Sequence, residues 1–206
     1  FPKKDLFRMN ITILVPPCYD HKQPAERSAG CTRIVYPMIN IYELTLAATL
    51  RETGRHAIRY RDFVFNKLSI ADFTSFLQTD DSDAYAIWTV NLSIDSDLQA
   101  INDIRKSHPT IPIVLFGPGA TFYTAKCLVD KNIYVVRGEP EATALELFEA
   151  LSESKAIDSI QGISYLINGT VKNNPPRPLI KDLDALPFPA RDLLGKQVYH
   201  NPKLKT

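Results

Sequence analysis

The stretch Ile113-Val114-Leu115-Phe116-Gly117-Pro118-Gly119-Ala120-Thr121 sets the fold class. Its opening residues are continuously apolar, as in a strand covered on both faces, and the glycine-rich turn behind them ends the run abruptly. Ile11–Val15, Ala84–Val90 and Ile133–Val136 share that character. Ala57-Ile58-Arg59-Tyr60-Arg61-Asp62-Phe63 instead alternates apolar with polar residues, which predicts an edge strand.

Helical patterns fill the gaps. Ile41, Leu44, Ala47, Ala48 and Leu50 form an apolar stripe that Gly54 is placed to terminate. Ser69-Ile70-Ala71-Asp72 approximates a capping box ahead of Phe73, Phe76 and Leu77. Asp95 or Ser96 is expected to cap a third helix carrying Leu98, Ile101 and Ile104, which His108-Pro109 stops. A short fourth helix is expected from Thr121 to Val129, and a fifth opens at Pro140 with Glu139 and Glu141 at its positive end. Strand and helix thus alternate through the body of the chain. Right-handed crossovers then predict an α/β, Rossmann-like fold: a doubly wound, five-stranded parallel sheet of order 2-1-3-4-5.

After the fifth helix the pattern changes. Gly162–Ile167, Asn168-Gly169 and Thr170–Lys172 read as a β-hairpin around the strongest two-residue turn. Beyond it the chain is proline-rich, with Pro175, Pro176, Pro178, Pro187, Pro189 and Pro202, and reads as an extended strap. The expected division is residues 9–156 for the Rossmann-like domain and 157–206 for hairpin and linker.

Composition narrows the function. Across 206 residues, 24 Lys+Arg balance 23 Asp+Glu for a net charge of +1, which gives no electrostatic case for nucleic acid or an anionic membrane. A hydrophobic fraction of 45% excludes a disordered chain. No apolar run reaches the length of a membrane span. Charge in Phe1-Pro2-Lys3-Lys4-Asp5 argues against a signal peptide, so a cytoplasmic chain, trimmed or a fragment, is expected. Cys18, Cys31 and Cys127 are too widely spaced for a zinc knuckle or a compact iron–sulfur motif, and read as reduced thiols in or near the core. Asp80-Asp81-Ser82-Asp83 reads as a solvated turn, His56 and His108 as residues without companions, and Trp88 and Tyr134 as core.

In such sheets ligands bind beyond the carboxyl ends of the strands, near the reversal in strand order. Pro16-Pro17 removes the backbone donors that a dinucleotide turn needs after strand one. The hydroxyl- and glycine-rich phosphate loop of a flavodoxin is missing there too. A phosphoacceptor receiver needs an Asp where Thr89 stands. What remains is a pocket of backbone and small residues. Gly117 and Gly119 either admit a flat ligand close to the main chain or serve as tight turns. Arg137-Gly138-Glu139 forms an open turn into a helix N-terminus.

The order of these pieces resembles a known family. It comprises the Pro-Pro strand end, the long loop into Pro37–His56, the Gly117-Pro118-Gly119-Ala120-Thr121 turn, and Arg137-Gly138-Glu139-Pro140-Glu141. Gln161-Gly162-Ile163-Ser164-Tyr165 and Leu186-Pro187-Phe188-Pro189-Ala190-Arg191-Asp192 follow. Over residues 9 to 195 this is similar to the N-terminal cobalamin-binding domain of cobalamin-dependent radical SAM enzymes, which include methyltransferases acting on unactivated carbon and anaerobic cyclases. The resemblance implies base-off cobalamin without an axial histidine. Thr89, Val90, Asn91 and Leu92 would lie under the corrin, and Gly117, Gly119, Ala120, Thr121, Gly138 and Glu139 along the nucleotide tail. Pro140 departs from the glycine common at its position, and His21 follows Asp20 directly instead of at the spacing of a cobalt-ligating motif. It further implies a radical SAM domain, with SAM and a four-iron four-sulfur cluster, in the same polypeptide beyond Thr206. The chain would then present the corrinoid without catalysing by itself. The alternative is the same fold with no corrinoid, acting as a scaffold or substrate gate.

Overall fold

A computed structural model describes residues 9–19 and 39–195. Its elements are β1 (Met9–Val15), α1 (Ile41–Glu52), β2 (His56–Asp62), α2 (Ile70–Thr79), β3 (Ala84–Trp88), α3 (Ile94–Ser107) and β4 (Ile113–Phe116). There follow α4 (Pro118–Phe122), α5 (Thr124–Cys127), β5 (Ile133–Val136), α6 (Pro140–Ser152), β6 (Ile163–Ile167) and β7 (Thr170–Asn173). Short 3-10 turns at Leu183–Ala185 and Arg191–Leu194 interrupt the strap. Readings that fall on 20–38 or 196–206, including Cys31, His21 and Pro202, lie outside the described residues.

The order is β2-β1-β3-β4-β5-β6-β7. Strands β1 to β5 pair in parallel, with the alternating strand β2 at the edge as its pattern predicts. The hairpin is not a separate appendage. It continues the sheet, with β6 antiparallel to β5 through Val135 opposite Ser164, and β7 antiparallel to β6. Asn168 and Gly169 both take positive φ, 51° and 77°, the geometry that a tight two-residue hairpin turn requires.

Alternation along β3 divides the core. Ala84, Ala86 and Trp88 face the side covered by α1 and α6, whereas Tyr85 and Ile87 face α2, α3 and the α4–α5 segment. The strap closes the first side. Ala190 donates its N–H to Leu44 O at 3.0 Å, and Ala190 and Leu194 are buried beside α1. Arg51 grips Asp192 through two hydrogen bonds of 2.5 and 3.0 Å. Arg177 pairs with Glu146 on α6.

Local signals mostly hold. Gly54, at φ +65°, donates to Arg51 O and ends the first helical segment. Ser69 and Asp72 exchange the reciprocal bonds of a capping box. The α3 start is a correction: the helix opens at Ile94, not after Asp95 or Ser96. Long-range partners take both expected caps, since Ser96 Oγ accepts from Tyr19 N at 2.9 Å and Asp95 meets Lys126 at 2.6 Å. The expected Thr121–Val129 helix is also corrected. Helix α4 begins at Pro118 behind Gly117, and Tyr123 breaks it from α5. Strand β3 stops at Trp88, because Val90 O turns back to accept from Ser93 N. The Asp80–Asp83 turn is a hydrogen-bonded junction as well as a solvated one: Asp80 accepts from Tyr85 Oη at 2.6 Å and Asp83 from Asn10 N at 2.7 Å. His108 is not without a companion, since its Nε2 lies 2.8 Å from Leu77 O.

Candidate functional site

The strand order reverses between β1 and β3, so the carboxyl ends of β1, β3, β4 and β5 frame the site. Pro16 and Pro17 leave β1 buried and carry no backbone donor. From β3 the chain passes through Thr89 and half-buried Val90 to exposed Asn91 and to Leu92, which is 50% exposed. Ser93 and Asp97 anchor the following turn, with Ser93 Oγ donating to the buried Asp97 carboxylate at 2.7 Å.

The β3 and β4 ends are tied main chain to main chain. Thr89 N donates to Phe116 O and Gly119 N to Thr89 O, both at 2.8 Å. The second bond satisfies one of the N–H groups that the start of α4 cannot pair internally. This contact explains the two glycines. A Cβ at Gly117, where φ is +99°, would stand 2.9 Å from the Trp88 ring. One at Gly119 would stand 2.6 Å from the Val90 carbonyl carbon. The close approach that Gly117 and Gly119 permit is therefore made by the protein's own β3 end.

Gly138 differs. Its φ is +79° and nothing lies within 4 Å of where a Cβ would be, so its open face is available to a ligand. Its N–H donates to Thr121 Oγ1 at 3.1 Å, which joins the β5 and β4 loops. The neighbours of Gly138 are already engaged. Arg137 donates to the carbonyls of Ile163 and Asn174, and burial holds its guanidinium below the usual range. Glu139 accepts from Ile180 N at 2.6 Å, holding the strap at the start of α6. Glu141 is buried, and desolvation raises its carboxyl above the ordinary range.

Thr89 is the informative polar group. It is 1% exposed, and its Oγ1 has no hydrogen-bond partner. A buried hydroxyl left unpaired is costly, and here it stands at the edge where this fold receives ligands. The structure thus brings Thr89, Val90, Gly117, Gly119, Ala120, Thr121 and Gly138 into one tied frame, with Asn91 and Leu92 projecting from it. Sequence reading missed Asn40, whose position ahead of an apolar-periodic segment was an available capping signal, and the Ser93–Asp97 pair.

Among the described residues, His56 opens β2 and His108 ends α3, both away from this edge. No group of three or more His, Cys, Asp or Glu among them could hold a metal ion. No described helix is long and apolar enough to cross a membrane. A cleft of about 410 Å³ lies between Phe122, Tyr123 and Lys126 on one side and Val171 and Asn173 on the other, and includes none of the expected site residues.

No protein-family model matches the chain. It is 32% identical over 194 residues to the uncharacterized methyltransferase PH0819 of Pyrococcus horikoshii, covering 93% of this chain and 40% of that protein. Its fold matches the cobalamin-dependent S-adenosylmethionine radical enzyme OxsB, solved with aqua-cobalamin and S-adenosylmethionine bound, at a TM-score of 0.73 and 18% identity. That match covers 91% of this chain and 25% of OxsB. The radical S-adenosylmethionine methyltransferase TsrM of Kitasatospora setae, solved with cobalamin and a 4Fe-4S cluster, matches at a TM-score of 0.61 and 16% identity, over 87% of this chain and 31% of its own. The chain therefore spans less than half of the methyltransferase and about a quarter to a third of the solved enzymes. In fold, it corresponds to one segment of radical S-adenosylmethionine enzymes whose structures hold cobalamin, the group that its sequence motifs resemble.

Proposed function

We propose that this chain is the cobalamin-holding module of a radical SAM methyltransferase-like enzyme. The observation that carries the reading is the unpartnered, buried Thr89 hydroxyl beside the reversal in strand order. A bound ligand supplies the partner that Oγ1 lacks. Asn91 and Leu92, exposed beyond β3, offer a neutral and partly apolar surface to the lower face of a corrin, with Val90 beside them. Gly138 offers the open main chain along which a nucleotide tail can run, and Thr121 holds that turn in place. Gly117 and Gly119 keep the β3 and β4 ends in register beside it, with Ala120 buried next to them. Glu139 acts by fixing the strap over the same end of the sheet.

On this reading cobalamin is bound base-off, without a protein axial ligand. When bound, cobalamin supplies a cobalt centre that carries a methyl group or an electron. The protein's part is to hold the corrin face, exclude solvent beneath it and present the other face. SAM and the iron–sulfur cluster belong on this reading to a radical SAM domain of the same polypeptide. The outcome there is methyl transfer to unactivated carbon, or a cyclase-type oxidation.

Titration with hydroxocobalamin followed by absorbance tests the reading. Saturable binding with a shift toward the base-off spectrum is expected. Thr89→Val, which keeps the shape and removes the hydroxyl, should bind about fivefold to tenfold more weakly, the usual worth of one hydrogen bond. No spectral change at high cobalamin concentration overturns the proposal and favours the scaffold alternative.

A further inference from the structure

Trp88 is the last residue of β3, immediately ahead of Thr89. Trp88 belongs to the α1 side, where a second set of unpartnered polar atoms occurs. Asn40 precedes α1 and is 8% exposed; its Oδ1 accepts from Tyr42 N at 3.0 Å, as an N-cap does. That bond fixes the amide orientation and leaves Nδ2, the donor end, buried without a partner. Trp88 is 9% exposed, and its Nε1–H is likewise buried and unpartnered. Tyr42 links the two. Its backbone is held by Asn40, and its ring stacks on Trp88 with centroids 5.2 Å apart and planes 1° from parallel.

Both unpaired groups can only donate; Asn40 caps the positive end of a 12-residue helix, and Trp88 stacks on Tyr42 in that helix's first turn. Such a site suits an acceptor oxygen. Each donor is also fixed in advance. The cap bond holds Asn40, while Trp88 is packed between the Tyr42 ring and the edge of Phe116, 5.5 Å away. Tyr42, 47% exposed, forms the solvent-side wall. On the α1 flank the carboxyl edge therefore ends in two pre-oriented N–H donors behind an aromatic wall.

Resting on the cobalamin reading above, we infer that Asn40 and Trp88 form a rim site that takes the carbonyl oxygen of an amide side chain on the corrin ring, and so fix its rotation over the sheet. These are positioning residues, distinct from Thr89.

The test measures dissociation constants of the full chain for hydroxocobalamin and for cobinamide, the same corrin without the nucleotide tail. Asn40→Asp keeps the capping oxygen and removes the donor, while Trp88→Phe keeps an aromatic ring against Tyr42 and removes the N–H. Each variant should weaken both ligands about fivefold to tenfold, with little change in melting temperature. The double variant should lose less than the product of the single losses if both donors meet one oxygen. Unchanged affinity in either variant overturns the rim site while leaving the cobalamin reading intact. A loss for hydroxocobalamin but not cobinamide places the contact on the tail and also overturns it. Failure of the unmodified chain to bind either ligand overturns both proposals.

Discussion

Gly119→Ala offers a test of sign. Gly119 lies within α4 and has no left-handed φ, so helix propensity alone favours alanine there by about 1 kcal/mol. Packing opposes it. The new Cβ would meet Val90 C at 2.6 Å, Thr89 O at 2.9 Å and Val90 Cα at 2.9 Å. All three are main-chain atoms, which cannot move aside by changing rotamer. Overpacking of this kind costs about 1–3 kcal/mol. Relief means separating α4 from the β3 end, which gives up the Gly119 N to Thr89 O bond, worth about 1 kcal/mol. The expected net effect is destabilisation by about 1–3 kcal/mol. At about 2–4 °C per kcal/mol for a chain of this size, the melting temperature should fall by roughly 2–12 °C. Thermal unfolding followed by circular dichroism reads this directly. Gly138→Ala is the comparison, since its added Cβ meets nothing and its cost comes from the left-handed backbone alone, about 1–2 kcal/mol. A Gly119→Ala protein as stable as the parent, or more stable, refutes the account of how the β3 and β4 ends are joined.

Two further expectations concern parts that support the site. Asn174 is 3% exposed and donates through Nδ2 to Ile157 O at 2.9 Å and Ile160 O at 2.8 Å. Asn174→Ala strands the Ile160 carbonyl, while Ile157 O keeps its bond from Ile160 N, and should lower unfolding stability in urea by about 1–3 kcal/mol, whereas a change below about 0.5 kcal/mol contradicts that role. Burial pushes the Cys127 thiol from 9.0 up to about 11. The folded state therefore keeps its proton where the unfolded state loses it, so this contribution is whole below pH 9 and is lost as pH rises toward 11. Melting temperatures across that range should fall less steeply for Cys127→Ala than for the parent, and parallel slopes would contradict the assignment.

How much was legible in the sequence followed from whether a signal was local. Ile113–Phe116 and Ile133–Val136 are apolar throughout because both faces are covered, and no distant information is needed to read them. The edge position of β2 shows in its alternation, and the capping box at Ser69 closes within three residues. Features made by distant partners were not readable. Ser96 is spent on Tyr19 and Asp95 on Lys126, so neither caps α3. Continuation of the sheet into the hairpin depends on Val135 meeting Ser164, a register that neither segment encodes alone. At the site, Gly117 and Gly119 announced a close approach but not its partner, which is the end of β3. Trp88 read as core, which its burial bears out, but the unpaired N–H on that ring emerges only from its surroundings.

Electron paramagnetic resonance of cob(II)alamin bound to the chain tests the central claim most directly. The account predicts a bound species with the base-off spectrum and no nitrogen superhyperfine splitting, because on the proposed reading the nucleotide base leaves the cobalt and no side chain replaces it. Nitrogen splitting in the bound spectrum, or a spectrum identical to free cob(II)alamin at every protein concentration, would contradict it.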